Sequence, residues 1–258
     1  MIVSPWSISP AGKKGKTEVS AVSGQLTYEN WDQEKVRQIL EQHSDYLEIL
    51  KWALEHYHDD IIYACSFGAE GMVMLDILSK LPRSAPVIFL DTGLHFPETY
   101  QLIEKAKRRY PSLKISMVKP KLTLEEQKAR YGDSLWKKNP DLCCHIRKVL
   151  PMQDALKNAK AWISGLRREQ SPSRKNIQFI NRDEKFKKIK ICPLIHWTWE
   201  DILTYIRLHK LPYNPLHDRG YPSIGCAPCT RPVSDGEDFR AGRWSGHNKT
   251  ECGLHGNE

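Results

Sequence analysis

The stretch Ile61-Ile-Tyr-Ala-Cys-Ser-Phe-Gly-Ala-Glu-Gly-Met-Val-Met-Leu-Asp-Ile-Leu-Ser-Lys-Leu81 decides the fold class. Its first five residues, Ile61–Cys65, are mostly apolar or aromatic and predict a short buried strand. Ser66–Glu70 has the small residues of a tight turn, and Gly71–Leu81 is an apolar run long enough for a helix. A strand, a tight turn and a buried helix in this order indicate the first unit of a parallel α/β sheet.

The same alternation continues on both sides of this unit. The predicted elements are helical sequence over Asn30–His58 with a break near Ser44-Asp45, a strand over Val87–Leu90, a helix over Pro97–Arg109, a strand over Leu113–Val118, a helix over Leu122–Arg130, a strand over Ala161–Ser164 and a helix over Trp199–Leu208 capped by Thr198. The fold class is therefore α/β, a parallel sheet with helices on both faces. Ligands bind such sheets at the carboxyl ends of the strands, where the loops Ser66–Glu70, Asp91–His95 and Gly165–Arg174 would meet.

The 258 residues suit one α/β domain with extensions. Residues 1–25 are rich in Ser, Gly, Lys and Pro and are interpreted as a flexible extension. Residues 26–235 are predicted to form the α/β domain, and residues 236–258 a mobile tail.

Composition excludes several classes of protein. The hydrophobic fraction of 40% is globular, and no apolar run approaches the ~20 residues of a membrane span. We expect a cytoplasmic protein without a secretory signal or a membrane partner. In that compartment seven cysteines, an odd number, indicate metal-binding, catalytic or buried thiols and not a disulfide framework.

The net charge of +8 does not predict nucleic-acid binding, because the basic residues are spread along the chain. We interpret Lys105–Arg109 and Lys185–Lys190 as solvated surface. Other arginines fall in loops rich in Gly, Ser and Pro, where guanidinium groups suit phosphate- or sulfate-like anions. These are Arg167, Arg168, Arg174, Arg231, Arg240 and Arg243.

Two pairs of cysteines, Cys143-Cys144 and Cys226-Ala-Pro-Cys229, suggest a site with four thiolates. Zinc and an iron–sulfur cluster both use such ligands. Neighbouring residues on a helix reach one ion poorly, whereas a four-iron cube offers separate corners, so the pattern favours iron–sulfur over zinc. The alternative is a pair of buried thiols with a redox-active C-x-x-C.

A further cysteine, Cys252, lies near the end of the sequence beside two glycines. Lys249 and His255 are close enough in sequence to favour its thiolate. This is the pattern of a reactive, movable nucleophile. Cys65 and Cys192 lie in apolar surroundings and are predicted to be core residues.

The first loop, Ser66–Glu70, presents backbone N–H groups and a helix N-terminus to an anion, a weak signal alone. The arginines of Gly165–Arg174 and of Arg240-Ala-Gly-Arg243 add positive charge. Lys148 follows Cys144 by one helical turn. Each arginine alone is as well explained by a surface salt bridge; five of them with a thiol and a metal site favour an oxyanion site.

Together these motifs resemble the assimilatory sulfonucleotide reductases, and more narrowly the iron–sulfur-containing, thioredoxin-dependent adenylyl-sulfate (APS) reductases of bacteria. The motifs are Cys143-Cys144, Gly225-Cys-Ala-Pro-Cys-Thr-Arg-Pro232, the arginine loop and Glu251-Cys-Gly-Leu-His255. The resemblance extends from about Leu26 to His255.

The resemblance implies an adenine nucleotide α-hydrolase-like (PP-loop-like) fold and reduction of adenylyl sulfate to sulfite and AMP through an S-sulfocysteine on Cys252, with thioredoxin as donor, in sulfate assimilation toward cysteine. It implies a [4Fe-4S] cluster on Cys143, Cys144, Cys226 and Cys229. The implied substrate-binding residues are Ser66, Gly68, Glu70, Asp91, Thr92, Gly93, Lys148, Arg167, Arg168, Arg174, Arg240, Arg243 and His255. The oligomeric state is left open, a homo-oligomer included.

The first loop departs from the pattern of APS-specific enzymes, which carry Ser-Phe-Ser-Gly-Ala-Glu. Here Cys65-Ser-Phe-Gly-Ala-Glu70 is closer to reductases of the 3′-phosphorylated nucleotide (PAPS). PAPS reduction and dual use are therefore alternatives. A remoter alternative is a PP-loop tRNA thiolation enzyme, although Ser66–Glu70 lacks the Ser-Gly-Gly-x-Asp-Ser cradle of that class.

Overall fold

Six strands form one sheet in the order β3-β2-β1-β4-β6-β5 in the computed structural model, which describes residues 24–247 and 249–255. The strands are β1 (Ile61–Ala64), β2 (Val87–Leu90), β3 (Ile115–Val118), β4 (Ala161–Ser164), β5 (Ile180–Asp183) and β6 (Lys188–Ile191). All neighbouring strands are parallel except β5, which runs antiparallel to β6 at the sheet edge. The predicted parallel α/β sheet is confirmed.

Helices cover the sheet and connect its strands. They are α1 (Gln33–Gln42), α2 (Tyr46–Tyr57), α3 (Ala69–Ser79), α4 (Pro97–Arg109), α5 (Leu124–Tyr131), α6 (Leu135–Lys138), α7 (Pro140–Cys144), a π-helix (His145–Val149), α8 (Leu150–Ala155) and α9 (Trp199–Leu208). Short 3-10 turns occupy His58–Asp60, Arg168–Gln170, Pro172–Arg174, His217–Arg219 and Ala227–Cys229.

Local capping explains where several helices begin. The Asp45 carboxylate accepts from the N–H groups of Leu47 and Glu48, so α2 starts anew after the predicted break. The Thr198 hydroxyl caps α9 in the same way, as expected. Helix α3 is buried on nearly every side, which agrees with its continuous apolar sequence.

The register brings the carboxyl ends of the central strands together. Ala64 at the end of β1 pairs with Ile88 of β2 and with Ser164, the last residue of β4. The loops that follow β1, β2 and β4 therefore leave the sheet at one edge, as the sequence predicted.

The prediction of a solvated segment over Lys185–Lys190 is wrong for Lys190. Lys190 lies in β6, an interior strand, and is fully buried with its Nζ 5.1 Å from the centre of the Trp162 ring. The alternation of Lys and Ile in β6 indicated an edge, but β5 covers that edge of the sheet.

The predicted terminal segments are described only in part. Residues 1–23 of the N-terminal extension lie outside the described residues, as do 248 and 256–258 of the tail. Within 236–258, Trp244 is buried and residues 251–255 are partly buried. The separate mobile tail remains a prediction. None of the helices described is long and apolar enough to cross a membrane.

Candidate active site

A cavity of about 200 Å³ opens at the carboxyl ends of β1, β2 and β4. The first loop contributes Ser66, Gly68 and Glu70 to its wall, and the end of the chain contributes Cys252 and His255. The predicted loops Ser66–Glu70, Asp91–His95 and Gly165–Arg174 all contribute lining residues, so their meeting at one crevice is found, and the end of the chain reaches it as well. The predicted binding residues that line it are Ser66, Gly68, Glu70, Lys148, Arg174, Arg240, Arg243 and His255.

The first loop contains a residue with a strained backbone conformation. Phe67 has a φ of 54°, in the left-handed region that non-glycine residues rarely adopt. Its ring is buried and packs edge-on against Phe89, with centroids 5.5 Å apart. Packing of Phe67 into the core therefore stabilises the turn that exposes Ser66 and Gly68 ahead of α3.

Glu70, in the first turn of α3, joins the first loop to the arginine loop. Its Oε1 accepts from Arg167 Nε and from Gln170 Nε2, both at 2.9 Å. The Arg167 side chain is only 1% exposed. Removing Arg167 would leave the partly buried Glu70 carboxylate without its main cation.

Two of the predicted anion-binding arginines do not line the cavity. Arg167 is committed to Glu70 and also donates to Glu169 and the Trp197 carbonyl. Arg168 donates to the Ile177 carbonyl and to Gln178 Oε1. Both side chains stabilise the arginine loop and do not face the space where a ligand would lie.

Arg174 and Arg240 do line the cavity, and both bind the carboxylate of Glu251. Arg174 donates from Nε and Nη2 at 2.9 and 2.8 Å, and Arg240 donates from Nη2 at 3.2 Å. Arg240 also donates to the Thr250 carbonyl at 2.9 Å. The residue before Cys252 is therefore fixed by a buried, charge-assisted contact.

His255 fixes the other side of Cys252. Its imidazole lies parallel to the Trp162 indole, with an angle of 11° and centroids 5.9 Å apart. Trp162 in turn donates from Nε1 to Asp183 at 2.8 Å. Burial, with the charges of Lys190 and Arg174, holds the pKa of His255 well below its usual value, so the ring is neutral at pH 7.

Lys148 lies beside the nucleophile candidate because of the π-helix His145–Val149. This wider turn follows α7 directly and buries both Arg147 and Lys148. Burial lowers the pKa of Lys148, but the negative charges of Cys226, Cys252 and Cys144 outweigh that effect and the net shift is upward. A cationic Lys148 therefore lines the first cavity together with Cys252.

The four cysteines of the two sequence pairs line a second cavity, next to the first. Cys143 and Cys144 come from the end of α7, and Cys226 and Cys229 flank the 3-10 turn Ala227–Cys229. Backbone contacts hold the second pair in place, since Ala227 N donates to the Leu94 carbonyl at 2.7 Å. All seven cysteines lie within the described residues, no disulfide joins any two of them there, and Cys65 and Cys192 are buried.

Four cysteine thiols at one cavity are a donor set whose chemistry suits a metal ion or an iron–sulfur cluster. Burial and the neighbouring thiolates raise the pKa of Cys143 to about 12 and that of Cys229 to about 11. Thiols that oppose one another's ionisation become thiolates together only with a cation between them. Within the described residues, no group of three or more His, Cys, Asp and Glu side chains is arranged to hold a metal ion.

The turn after β2 contributes to the cysteine cavity. Asp91 Oδ1 accepts from Tyr100 Oη at 2.7 Å and from Gly93 N at 3.0 Å, and Thr92 Oγ1 lies 3.3 Å from Cys226 Sγ. Of the predicted residues Asp91, Thr92 and Gly93, Thr92 lines the cysteine cavity and none lines the first cavity.

Five buried side-chain atoms of residues 24–247 and 249–255 have no hydrogen-bond partner, and all five belong to residues that line the two cavities. They are His217 Nε2, Arg240 Nε, Arg243 Nε and His255 Nδ1 at the first cavity, and Trp136 Nε1 at the cysteine cavity. Buried polar groups without partners are rare and costly. Their concentration here indicates that ligands complete both cavities.

Sequence reasoning missed three side chains at the first cavity. His95, His217 and Trp162 line it, but none was singled out as a binding residue. The available signal for His95 was its position at the end of the predicted loop Asp91–His95. Nothing local marked His217 or Trp162.

Comparisons with known proteins match this geometry. Residues 60–232 match the phosphoadenosine phosphosulfate reductase domain, about two thirds of the chain. This protein belongs to the phosphoadenosine phosphosulfate reductase family. The sequence-based assignment to the sulfonucleotide reductases is therefore confirmed.

Relatives in this family cover nearly the whole chain. Adenosine 5′-phosphosulfate reductase 2 of Bacillus subtilis is 60% identical over 230 residues, which are 89% of this chain and 98% of that protein. Adenosine 5′-phosphosulfate reductase of Oceanobacillus iheyensis is 64% identical over 208 residues, 81% of this chain and 87% of that protein.

Solved structures of reductases and nucleotide enzymes share the fold. Phosphoadenylyl-sulfate (PAPS) reductase from Candida auris, solved as a phosphate complex, has a TM-score of 0.70 and 34% identity over 78% of this chain and 98% of that chain. Candida glabrata FMN adenylyltransferase has a TM-score of 0.55 and 18% identity over 80% of this chain and 70% of that chain. The expected PP-loop-like nucleotide-binding fold is confirmed.

Proposed function

We propose that this protein is an adenylyl-sulfate reductase, which converts adenylyl sulfate to sulfite and AMP with thioredoxin as the reductant. One observation carries the proposal: a cysteine thiol, Cys252, lines the same cavity as the cationic side chains of Lys148, Arg240 and Arg243. The close relatives named adenosine 5′-phosphosulfate reductase support this choice of substrate.

The first step is attack of the Cys252 thiolate on the sulfur of adenylyl sulfate. The new S–S bond forms as the bond from sulfur to the phosphate oxygen breaks, and AMP leaves with that electron pair. The product on the protein is an S-sulfocysteine. Lys148, Arg240 and Arg243 are proposed to neutralise the phosphosulfate and the charge that develops on the departing phosphate.

The second step is a thiol exchange. A thioredoxin thiolate attacks the Cys252 sulfur and releases sulfite, and the second thioredoxin thiol then resolves the mixed disulfide and restores the Cys252 thiol. The dithiol supplies both electrons. This chemistry requires reduced thiols and suits the expected cytoplasmic location.

We further propose that Cys143, Cys144, Cys226 and Cys229 hold a [4Fe-4S] cluster. The four thiols that share this cavity and the unpartnered Trp136 Nε1 at the same cavity support a bound group there. When bound, the cluster would organise the chain near Lys148 and Cys252. The electrons for sulfite formation come from thioredoxin.

Reduction of the 3′-phosphorylated nucleotide is the second candidate activity. It is favoured by the first-loop sequence Cys65-Ser-Phe-Gly-Ala-Glu70 and by the likeness to the Candida auris PAPS reductase. No described residue favours the tRNA thiolation alternative.

The deciding experiment measures sulfite and AMP formed from adenylyl sulfate by the purified, iron-containing protein with thioredoxin and its reductase. We expect both products in equal amounts and a higher kcat/KM for adenylyl sulfate than for its 3′-phosphorylated form. Absence of sulfite from both nucleotides would overturn the proposal. Sulfite from the 3′-phosphorylated form alone would select the second candidate.

A further inference from the structure

His217 lies in a short turn after α9, in a region where the sequence showed no motif. Its ring lines the first cavity. Tyr213 stacks parallel to the ring at 6.0 Å and 10°, and Trp199 packs at 5.4 Å on a tilted plane. Aromatic contacts therefore fix the orientation of the imidazole.

The hydrogen bond of His217 determines its tautomer. Nδ1 lies 2.8 Å from the Tyr221 carbonyl oxygen, which can only accept, so Nδ1 carries the proton and donates. Burial lowers the pKa of His217, although the Glu70 charge and this hydrogen bond oppose the shift. The ring is neutral at pH 7, and its Nε2 atom carries a lone pair.

That lone pair has no partner in the protein. Nε2 is buried and receives no hydrogen bond, which is a destabilising arrangement for an acceptor. Phosphate and sulfate oxygens cannot satisfy it, because these groups are themselves acceptors at neutral pH. The hydrogen-bond donors of an adenine nucleotide are its ribose hydroxyls and the amino group of the base.

We propose that His217 is a substrate-binding residue whose Nε2 accepts a hydrogen bond from the nucleoside part of the bound nucleotide. This inference rests on the proposed function, which places an adenine nucleotide in the cavity. Arg240 and Arg243 provide donors for the anionic end, and His217 provides an acceptor that only the uncharged nucleoside can use. The residue thereby selects against ligands that bring an acceptor to this position.

The test is calorimetric titration with AMP, 2′-deoxy-AMP, 3′-deoxy-AMP and purine riboside 5′-monophosphate, which lacks the amino group. The proteins are the wild type, His217→Phe without the acceptor, and His217→Gln, whose amide oxygen can replace Nε2. Tyr213→Phe is the matched control, because it keeps the ring that stacks on His217 and removes only a hydroxyl bonded to Asp218. His217→Met is a second variant without the acceptor if His217→Phe does not fold.

We expect His217→Phe to bind AMP about tenfold more weakly than the wild type, His217→Gln to recover most of this loss, and Tyr213→Phe to bind normally. For the wild type, one of the three analogues should bind about tenfold more weakly than AMP. For His217→Phe, that same analogue and AMP should bind with equal affinity. That analogue identifies the donor that His217 contacts.

Equal AMP affinity in the wild type and His217→Phe would overturn the inference. It would also be overturned if the affinity lost between AMP and each analogue were the same in both proteins. In either case sulfite formation by the wild type would leave the proposed function intact. A wild type that binds no AMP would overturn both.

Discussion

The carboxylate of Glu251 receives two parallel hydrogen bonds from the guanidinium of Arg174, at 2.9 and 2.8 Å, across 77 residues of sequence. The side chains are 16% and 7% exposed, so water screens this ion pair little. Because Glu251 directly precedes Cys252, the pair fixes the position of the thiol in the cavity. The sequence marked Arg174 as an anion-binding residue, and in the structure it binds the protein's own carboxylate.

Glu251→Gln should loosen the end of the chain. Losing a charge-assisted contact worth about 1.5–3 kcal/mol should expose Cys252 and raise its rate of alkylation by iodoacetamide roughly tenfold. Sulfite turnover should fall, since the thiol is less often in place. Glu237→Gln is the control, because its bidentate pair with Arg231 lies outside the cavity. Unchanged alkylation in Glu251→Gln would contradict the assigned role.

Cys252→Ser should abolish sulfite formation and leave the rest of the site intact. A serine hydroxyl is not ionised at pH 7 and cannot form the proposed S-sulfocysteine. The variant should still bind AMP and retain iron and acid-labile sulfide, which are measured on the purified protein. Residual sulfite turnover near the wild-type rate would exclude Cys252 as the nucleophile.

Cys226→Ser should lose the metal. It is one of the four cysteines that line the cysteine cavity, and the other three are already ligands in the proposed cluster, so none of them can replace the lost thiolate. We expect iron and sulfide well below the wild-type content and no sulfite. Cys192→Ala, a buried cysteine outside this cavity, should keep its iron. Full iron content in Cys226→Ser would refute the ligand assignment.

Gly225→Ala should displace Arg243. A Cβ at this position would lie 2.2 Å from Arg243 Nη2, so the guanidinium must leave its contacts with Ser223 Oγ and the Ile224 carbonyl. A misplaced charge of this kind should lower kcat/KM by about 10- to 100-fold. A double variant checks this. In Arg243→Ala the guanidinium is already absent, so adding Gly225→Ala should lower kcat/KM little further. Full additivity would show that Gly225 acts through another contact.

His56 should make stability depend on pH. Its Nε2 accepts from Leu26 N at 2.8 Å, and burial, with the charges of Lys35 and His58, lowers its pKa. The unfolded chain therefore binds the proton more readily, so this contribution is complete above about pH 6.5 and is lost as pH falls below that value. Between pH 7.5 and 5, the midpoint of thermal unfolding should fall less for His56→Gln than for the wild type, because glutamine keeps an acceptor but does not titrate. Equal losses would assign the effect to other groups.

The alternation of apolar strands, small turns and helices was sufficient to predict most of the fold. The bounds of β2, β4, α4 and α9 agree with the prediction, because these elements carry uninterrupted periodicity or clear caps. Strands β5 and β6 were not recognised, since their charged residues resemble solvated surface. Only pairing in the sheet decides that Lys190 is buried.

The sequence by itself determined the chemistry that is available: two pairs of cysteines, one cysteine near the end of the chain, and arginines in loops. Tertiary structure decided which of these groups meet. It turned Arg167 toward Glu70 and Arg168 toward the arginine loop, and it brought His217 and Trp162 into the cavity. The physical reason is that a side chain's partners depend on the packing of elements far apart in sequence, whereas local patterns report only each element's own preference for helix, strand or turn.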